Sequence, residues 1–137
     1  MSAPNWQVLV KELKQGNNKH CADCMATDTE WASINLGVFI CITCSAVHRS
    51  LGTHISKIRS LTLDDWDEES YLSMKKQGNV LANSYWECNL MPFEKPLQVD
   101  PYCYRQKFIV DKYIKQNFIP TDSNKEQMKF ERSTFNT

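Results

Sequence analysis

Two closely spaced pairs of cysteines constrain the fold of this chain more than any other feature of its sequence. Cys21 and Cys24 form the first C-x2-C pair, and Cys41 and Cys44 form the second pair after sixteen intervening residues. A two-residue spacer lets one tight turn present two sulfurs to one ion, and the longer segment can return the chain to the same ion as a strand pair. The spacing therefore predicts one structural Zn²⁺ held by these four cysteines.

Disulfides and a redox-active pair are the alternatives for these cysteines. A thioredoxin-like C-x-x-C pair lies beside a βαβ pattern, which surrounds neither pair here. A disulfide framework is typical of a secreted chain, and residues 1–10 lack the basic region and apolar core of a signal peptide. Cys88 and Cys103 are predicted to be buried small apolar side chains.

Length and charge limit the classes of protein that fit. A chain of 137 residues suits one domain, and no apolar run is long enough to span a bilayer. Sixteen basic residues balance sixteen acidic ones, which argues against a nucleic-acid-binding protein. Residues 61–100 are acidic, with eight Asp or Glu against three Lys or Arg, and a solvated helix face explains this segment.

Apolar periodicity predicts an α+β fold in which about five helices flank a small three-stranded sheet. Helices are predicted over residues 6–13, 41–51, 68–76, 79–88 and 104–118, and Asn79 is predicted to cap the fourth. Strands are predicted over residues 31–35, 38–40 and 57–63, with the first two forming a hairpin between the cysteine pairs. Residues 91–101 are predicted to be a loop. A domain of residues 1–118 is then followed by a polar tail, 119–137, that is partly ordered or disordered.

The helix after the second cysteine pair is predicted to point one arginine away from the metal. At 100° per residue Cys44 and His48 share a face, whereas Arg49 lies about 140° round from Cys44. A guanidinium on a helix that metal coordination holds rigid suits recognition of a phosphate or another planar oxyanion. The alternative for Arg49 is an ion pair with an acidic residue such as Asp64.

Together these residues resemble the catalytic domain of the Arf GTPase-activating proteins. The likeness runs from about Asn5 to Phe118, with Ala46 standing where glycine is common in the family. It is carried by C-x2-C-x16-C-x2-C-x4-R, Trp31-Ala32-Ser33, Asn35-Leu36-Gly37, His48-Arg49-x-Leu51-Gly52-x-His54-Ile55-Ser56, Leu63-Asp64-x-Trp66, Gly78-Asn79, Ala82-Asn83, Trp86-Glu87 and Lys112-Tyr113.

The resemblance implies a monomeric domain that binds a GTP-loaded Arf-family GTPase and accelerates hydrolysis of its nucleotide. Such a protein activates an enzyme and does not hydrolyse GTP alone, because the GTPase supplies the Mg²⁺ and the GTP. Arg49 matches the arginine that the family inserts in trans. Trp31 and Asp64 match family positions near this arginine or the GTPase. Ile42, a large apolar residue between two zinc ligands, is expected to be an exposed contact to the partner. The implied location is the cytoplasm, with recruitment to Golgi, endosomal or plasma membranes in vesicle traffic.

Two other functions stay open at this point. A zinc-dependent protein-interaction module without catalysis has the same sequence features. A nucleic-acid-binding zinc finger is favoured by Arg49, Lys57 and Arg59, but the zero net charge disfavours it. Single residues have alternatives too, since Trp31 can be a core residue and Asp64 a helix cap. His48 and His54 are predicted to be structural hydrogen-bonding groups, because four cysteines already complete a tetrahedral zinc site.

Overall fold

A computed structural model describes residues 4–121, in which five α-helices surround a three-stranded sheet. The helices are α1 (Trp6–Glu12), α2 (Ile42–Leu51), α3 (Glu68–Lys76), α4 (Asn79–Trp86) and α5 (Tyr102–Ile109). The strands are β1 (Trp31–Ser33), β2 (Val38–Ile40) and β3 (Ile58–Ser60). Short 3₁₀ turns lie at Gly16–Lys19 and Pro92–Glu94, and a π-helical turn at Val110–Ile114 continues α5. The predicted α+β class is confirmed.

The sheet has the order β2-β1-β3, with both pairs antiparallel. Trp31 lies opposite Ile40 on one side and Ser60 on the other. The hairpin predicted between the cysteine pairs is therefore present, and β3 is shorter than predicted. It ends at Ser60 because this side chain accepts hydrogen bonds from the amides of Thr62 and Leu63, which turns the chain out of the sheet.

Strand β2 is buried on both faces and separates two apolar cores. Successive side chains of a strand point to opposite faces. Val38 and Ile40 accordingly join the core that contains the four cysteines, whereas Phe39 joins a second core with Leu61 and Met74. The sheet thus lies between α1 and α3 on one face and the cysteine cluster with α2, α4 and α5 on the other.

Side-chain caps explain where three of the helices begin. Asn5 accepts a hydrogen bond from the amide of Val8 at the start of α1, and Asp67 accepts one from the amide of Ser70 at the start of α3. These bonds satisfy amides that have no partner within the helix, and the bonds from Ser70 lower the pKa of Asp67. The Sγ atom of Cys41 performs the same role for α2.

The prediction that Asn79 caps α4 is wrong. The N-cap residue is Gly78, at φ +90°, and Asn79 is the first helical residue. The Asn79 side chain instead accepts a hydrogen bond from the amide of Phe39 at 2.7 Å and donates one to the carbonyl of His20 at 2.7 Å. Asn79 therefore ties α4 to the central sheet and to the segment before the first cysteine pair.

The prediction for the two remaining cysteines is also wrong. Cys88 lies beyond the end of α4 and is half-buried, and Cys103 is exposed, so neither is a core side chain. Tyr104 is also exposed, since the buried stripe of the last helix starts one residue later. This stripe repeats every three to four residues and consists of Arg105, Phe108, Ile109, Lys112 and Tyr113.

The predicted boundary between the domain and its tail stays a prediction. Asn89 donates hydrogen bonds from its amide to the carbonyl of Phe118 and from its side chain to the carbonyl of Ile119, so the chain is still attached to the domain there. Residues 122–137, which make up most of the predicted tail, lie outside the described residues.

Candidate functional site

The Sγ atoms of Cys21, Cys24, Cys41 and Cys44 meet at one buried point, all within 4.8 Å of one another. The atoms of Cys24 and Cys41 are 3.6 Å apart, too far for a disulfide at about 2.05 Å. Four sulfurs at about 2.3 Å from a tetrahedral Zn²⁺ lie roughly 3.8 Å from one another. The cluster thus fits a structural zinc, and all six cysteines of the chain, which fall within residues 4–121, are free of disulfides.

The chemistry of the cluster also fits a cation. Burial raises the pKa of the Cys21 thiol, whereas hydrogen bonds from Cys21, Cys24 and Cys44 lower the pKa of Cys41. The four sulfurs therefore do not all ionise in the protein alone, because thiolates packed this closely repel one another. A bound divalent cation removes that conflict and allows all four to be thiolates.

Backbone amides around the cluster point at two of its sulfurs. The amide of Cys44 donates to the sulfur of Cys41 at 3.4 Å, and the amide of Asp23 donates to the sulfur of Cys21 at 3.4 Å. Hydrogen bonds of this kind favour the thiolate form. Since Cys41 and Cys44 stand at the N-terminus of α2, the cluster fixes the position of that helix.

Arg49 is exposed near the other end of α2, and the helical spacing places it about 140° round the helix from Cys44. Its Cζ atom lies 4.7 Å from the centroid of the Trp31 ring, a cation–π contact. Trp31 is half-buried at the start of β1 and packs against the core that contains the cysteines. Two of the predicted site residues are therefore in contact.

Asp64 does not pair with Arg49 in the described part of the chain. Its Oδ2 atom accepts a hydrogen bond from the amide of Ser60 at 2.7 Å, which fixes the turn that follows β3. It does not cap a helix either, because Asp67 caps α3. Both alternatives considered for Asp64, an ion pair with Arg49 and a helix cap, are thus wrong, and its carboxylate stays close to the end of β3.

Ile42 is 69% exposed, which is unusual for an apolar side chain beside a buried metal cluster. It precedes Arg49 by seven residues, so both lie on one face of α2, about 10 Å apart along the helix axis. Ala46 is exposed between them. Leu63 is 80% exposed in the turn that Asp64 fixes, and sequence analysis did not single it out as a candidate contact residue.

A buried network of charged side chains connects the cysteine cluster to the last helix. The Nζ atom of Lys112 lies 2.9 Å from Asp23 Oδ1 and 2.7 Å from Glu87 Oε2, and Tyr113 donates to Asp23 at 2.6 Å. Burial alone raises the pKa of Asp23, but the Lys112 cation and hydrogen bonds from His48 and Tyr113 hold it well below its usual range. Asp23 is therefore a carboxylate inside the protein.

Sequence analysis missed this network, although one signal was available. Lys112 falls between Ile109 and Tyr113 in the buried stripe of the last helix, where an apolar residue is expected. The prediction for His48 is confirmed, since its ring is fully buried and hydrogen-bonded to Asp23 and Ser56. His54 is exposed, with its ring packed beside Gly52.

Comparison with known proteins decides the family. Residues 7–122 match the model of the ArfGap family, which is described as "Putative GTPase activating protein for Arf". The chain belongs to the ArfGAP family. It is 48% identical over 109 residues to the ADP-ribosylation factor GTPase-activating protein AGD12 of Arabidopsis thaliana, a match that covers 78% of this chain and 32% of that protein. It is 45% identical over 112 residues to the human stromal membrane-associated protein 1, covering 81% and 23% of the two chains.

Solved ArfGAP structures share the fold. The solution structure of the ArfGap domain of human RIP superposes with a TM-score of 0.75 at 16% identity, covering 90% of this chain and 92% of that one. The ArfGap domain of HIV-1 Rev binding protein gives a TM-score of 0.74 at 16% identity, covering 87% and 90%. At this level of identity the agreement concerns the fold.

The chain spans a minority of the length of several curated relatives, between 20% and 40% of each. Within residues 4–121, no helix has the length and apolar character needed to cross a membrane.

Proposed function

We propose that this chain accelerates GTP hydrolysis by a GTP-loaded Arf-family GTPase, and that Arg49 enters the nucleotide site of the partner as an arginine finger. The observation that carries the proposal is the exposed guanidinium on a helix whose N-terminus belongs to the cysteine cluster, in a chain of the ArfGAP family. We propose that the chain activates the GTPase and does not hydrolyse GTP alone, since none of its four glycines belongs to a G-x4-G-K-[ST] phosphate-binding loop. The partner supplies the GTP and the Mg²⁺.

The energetics favour release of Arg49 from its resting contact. A cation–π contact at an exposed site contributes about 0.5–1 kcal/mol. A guanidinium that stabilises the charge spreading over the γ-phosphate oxygens accelerates hydrolysis by ~10³–10⁵, which corresponds to roughly 4–7 kcal/mol of barrier. Trp31 therefore holds Arg49 in an outward orientation without competing with the transition state.

Zinc has a structural role in this proposal. Cys21, Cys24, Cys41 and Cys44 would hold one Zn²⁺, and a closed four-thiolate site offers no position for water or substrate. The ion supplies rigidity, because it joins the two cysteine pairs at the point where α2 begins. Among the groups of this chain, Arg49 is the one that meets the reacting charge.

The GTPase is proposed to contact the surface around Arg49. Ile42 and Leu63 supply exposed apolar area, Trp31 supports the finger, and Asp64 fixes the turn that presents Leu63. An exposed aliphatic side chain gains roughly 1.5–3 kcal/mol on full burial, enough to contribute to association. We expect Ile42→Ala to weaken binding of the GTPase and to leave the rate within the saturated complex unchanged.

Single-turnover hydrolysis of GTP by an Arf-family GTPase tests the role of Arg49. Arg49→Lys keeps the charge and is expected to lower the stimulated rate by about 10³ or more, since lysine lacks the planar fork of donors. Arg59→Lys is the matched control, because Arg59 is an exposed arginine on β3. Equal rates for the wild type and Arg49→Lys would remove the arginine finger from the proposal.

A binding module without catalysis is the second candidate, because the exposed Ile42 and Leu63 suit docking whether or not hydrolysis follows. Its signature is a complex with GTP-loaded Arf that forms at unchanged affinity while hydrolysis stays at the intrinsic rate. The proposed setting is the cytoplasm, with recruitment of a monomeric domain to Golgi, endosomal or plasma membranes during vesicle traffic.

A further inference from the structure

A fully buried chain of hydrogen bonds crosses the domain beneath Arg49. His48 Nε2 donates to Asp23 Oδ2 at 2.7 Å, and His48 Nδ1 lies 2.8 Å from the hydroxyl of Ser56. The hydroxyl of Ser56 lies in turn 2.7 Å from that of Ser33. None of these four side chains is more than 2% exposed. The chain therefore joins the segment between two zinc-site cysteines, helix α2 and strand β1.

His48 is the member of this series of hydrogen bonds that lies on α2, so it is the residue through which the series can fix the rotation of that helix. It follows Cys44 by four residues on the same face and directly precedes Arg49. The cysteines anchor the first turn of the helix, and the imidazole anchors the second half, where Val47 and Leu51 also pack against the apolar core. Two anchors on one face define both the position and the rotation of a helix.

A small rotation of α2 displaces the Arg49 guanidinium considerably, because the guanidinium lies far from the helix axis. Side-chain ends lie about 6 Å from the axis of an α-helix, so a rotation of roughly 10° displaces them by about 1 Å. A misplacement of about 1 Å can cost ~10²-fold in rate when a reaction depends on positioning. Arg49 is longer than an average side chain, which increases the displacement for a given rotation.

The other end of the hydrogen-bonded chain reaches the residue that supports Arg49. Ser33 and Trp31 are two residues apart on β1 and therefore point to the same face of the sheet. The Arg49 guanidinium lies over the Trp31 ring, 4.7 Å from its centroid. The same buried chain thus fixes the helix that carries the arginine and the strand that carries its support.

Asp23 can serve as a fixed acceptor because its charge is balanced from a distant part of the chain. Lys112 Nζ lies 2.9 Å from Asp23 Oδ1 and also donates to the carbonyl of Ala22 at 3.1 Å. The second oxygen of Asp23 is left for His48. The last helix therefore holds the carboxylate that orients the imidazole.

We propose that His48 is a positioning residue for Arg49, which sets the rotation of α2 through its bonds to Asp23 and Ser56. This inference rests on the proposed function. His48 does not reach a substrate, because its ring is fully buried, and it acts through the orientation of the neighbouring arginine.

Three variants test the inference. His48→Gln keeps a donor that can reach Asp23 and loses the bond to Ser56, and Ser56→Ala removes that bond from the other side while the imidazole stays. His54→Gln, an exposed histidine beyond α2, is the matched control. Zinc content and circular dichroism establish which variants fold, and Ser56→Ala provides the answer if His48→Gln does not fold.

The expected result is a loss of kcat without a matching change in KM for the GTPase. His48→Gln is expected to lower the stimulated kcat about 10-fold and Ser56→Ala about 3-fold, with KM within about 2-fold of the wild type and no effect of His54→Gln. Arg49→Lys is expected to cost a smaller factor in the His48→Gln background than alone, since the two residues act on one interaction.

Two outcomes overturn different statements. The inference is wrong if His48→Gln and Ser56→Ala fold and keep the wild-type kcat, and if Arg49→Lys lowers kcat by the same factor in those variants as in the wild type. His48 then serves stability alone. An Arg49→Lys variant with full activity in the otherwise wild-type chain removes the proposed function itself. The double-variant comparison separates the two.

Discussion

Lys112 is a fully buried cation, and its removal is expected to destabilise the domain more than that of any exposed lysine on the same helix. The substitution Lys112→Met keeps a long unbranched side chain and removes the charge. Asp23 then loses its lysine at 2.9 Å and stays completely buried, whereas Glu87 loses Lys112 at 2.7 Å and keeps Lys95 at 2.9 Å. Breaking a buried ion pair by removing one partner costs about 3–5 kcal/mol, because it leaves an uncompensated charge in the interior.

Urea denaturation with saturating zinc measures this loss. With an m value of about 2 kcal/mol/M for a domain of this size, the expected shift of the midpoint is about −2 M. Lys107→Met is the matched control, because Lys107 lies one turn earlier on α5, pairs with Asp111 at 2.8 Å and is 79% exposed. Exposed ion pairs contribute little, so the midpoint of this control is expected to stay at the wild-type value.

The loss should also depend on pH in a defined direction. In the wild type the pKa of Asp23 is held well below its usual range, so the carboxylate stays charged as the pH falls from 7 to 5. Without Lys112 the buried Asp23 can bind a proton in the folded state, which stabilises the variant relative to the wild type at lower pH. The difference between the two midpoints should therefore shrink as the pH falls. The same shift for Lys112→Met and Lys107→Met at pH 7 would refute the argument that burial gives Lys112 its importance.

Three further predictions concern other parts of the fold. One zinc per chain is expected by elemental analysis, and Cys24→Ser or strong chelation should abolish the cooperative thermal transition, whereas a sharp transition without metal contradicts a structural zinc. Phe39→Ala should lower the free energy of unfolding by about 3–5 kcal/mol, because Phe39 is fully buried, and Val8→Ala at a 49% exposed position should have little effect in the same urea titration. Gly37→Ala should destabilise the domain more than Gly16→Ala. Both glycines have positive φ, at +74° and +62°, so backbone strain is common to the two variants. A Cβ at Gly37 would lie 2.3 Å from the Gln77 side chain, whereas a Cβ at Gly16 meets nothing within 4 Å. Equal losses for the two glycine variants would show that backbone strain alone determines the effect.

The parts of the fold that the sequence predicted well depend on contacts between near neighbours. The two cysteine pairs lie sixteen residues apart, and the hairpin between them forms from adjacent segments, so spacing and alternation were sufficient. The direction of Arg49 followed from helix geometry once the start of α2 was known. Helix α3 also carries local signals, since Asp67 caps it and its first turn is acidic and its last turn basic.

The parts that were missed depend on partners far apart in sequence. Lys112 pairs with Asp23 across 89 residues, and Asn79 contacts Phe39 across 40. The usual expectation for a lysine or an asparagine is the surface. Asn79 carries no local sign of burial, and the local sign for Lys112 is its place in the buried stripe of the last helix. Asn79 was assigned to a cap because capping is the common local role of asparagine, whereas here the sheet offered it both a donor and an acceptor.

The same distinction explains why the candidate site divides into a predictable and an unpredictable half. The surface half contains the exposed Arg49 and Ile42 and the half-buried Trp31, which lie on one helix and one strand that local sequence patterns predict. The buried half orients them through Asp23 and His48, which are 25 residues apart and meet because the cysteine cluster brings the first pair against α2. Since the cluster creates both the anchor of α2 and the contact between Asp23 and His48, loss of the metal should release the rotation of the helix before the apolar cores separate. Activity is therefore expected to be lost with the zinc while part of the helical circular dichroism persists in the metal-free chain, and complete loss of both signals together would show that the helix has no orientation to lose short of unfolding.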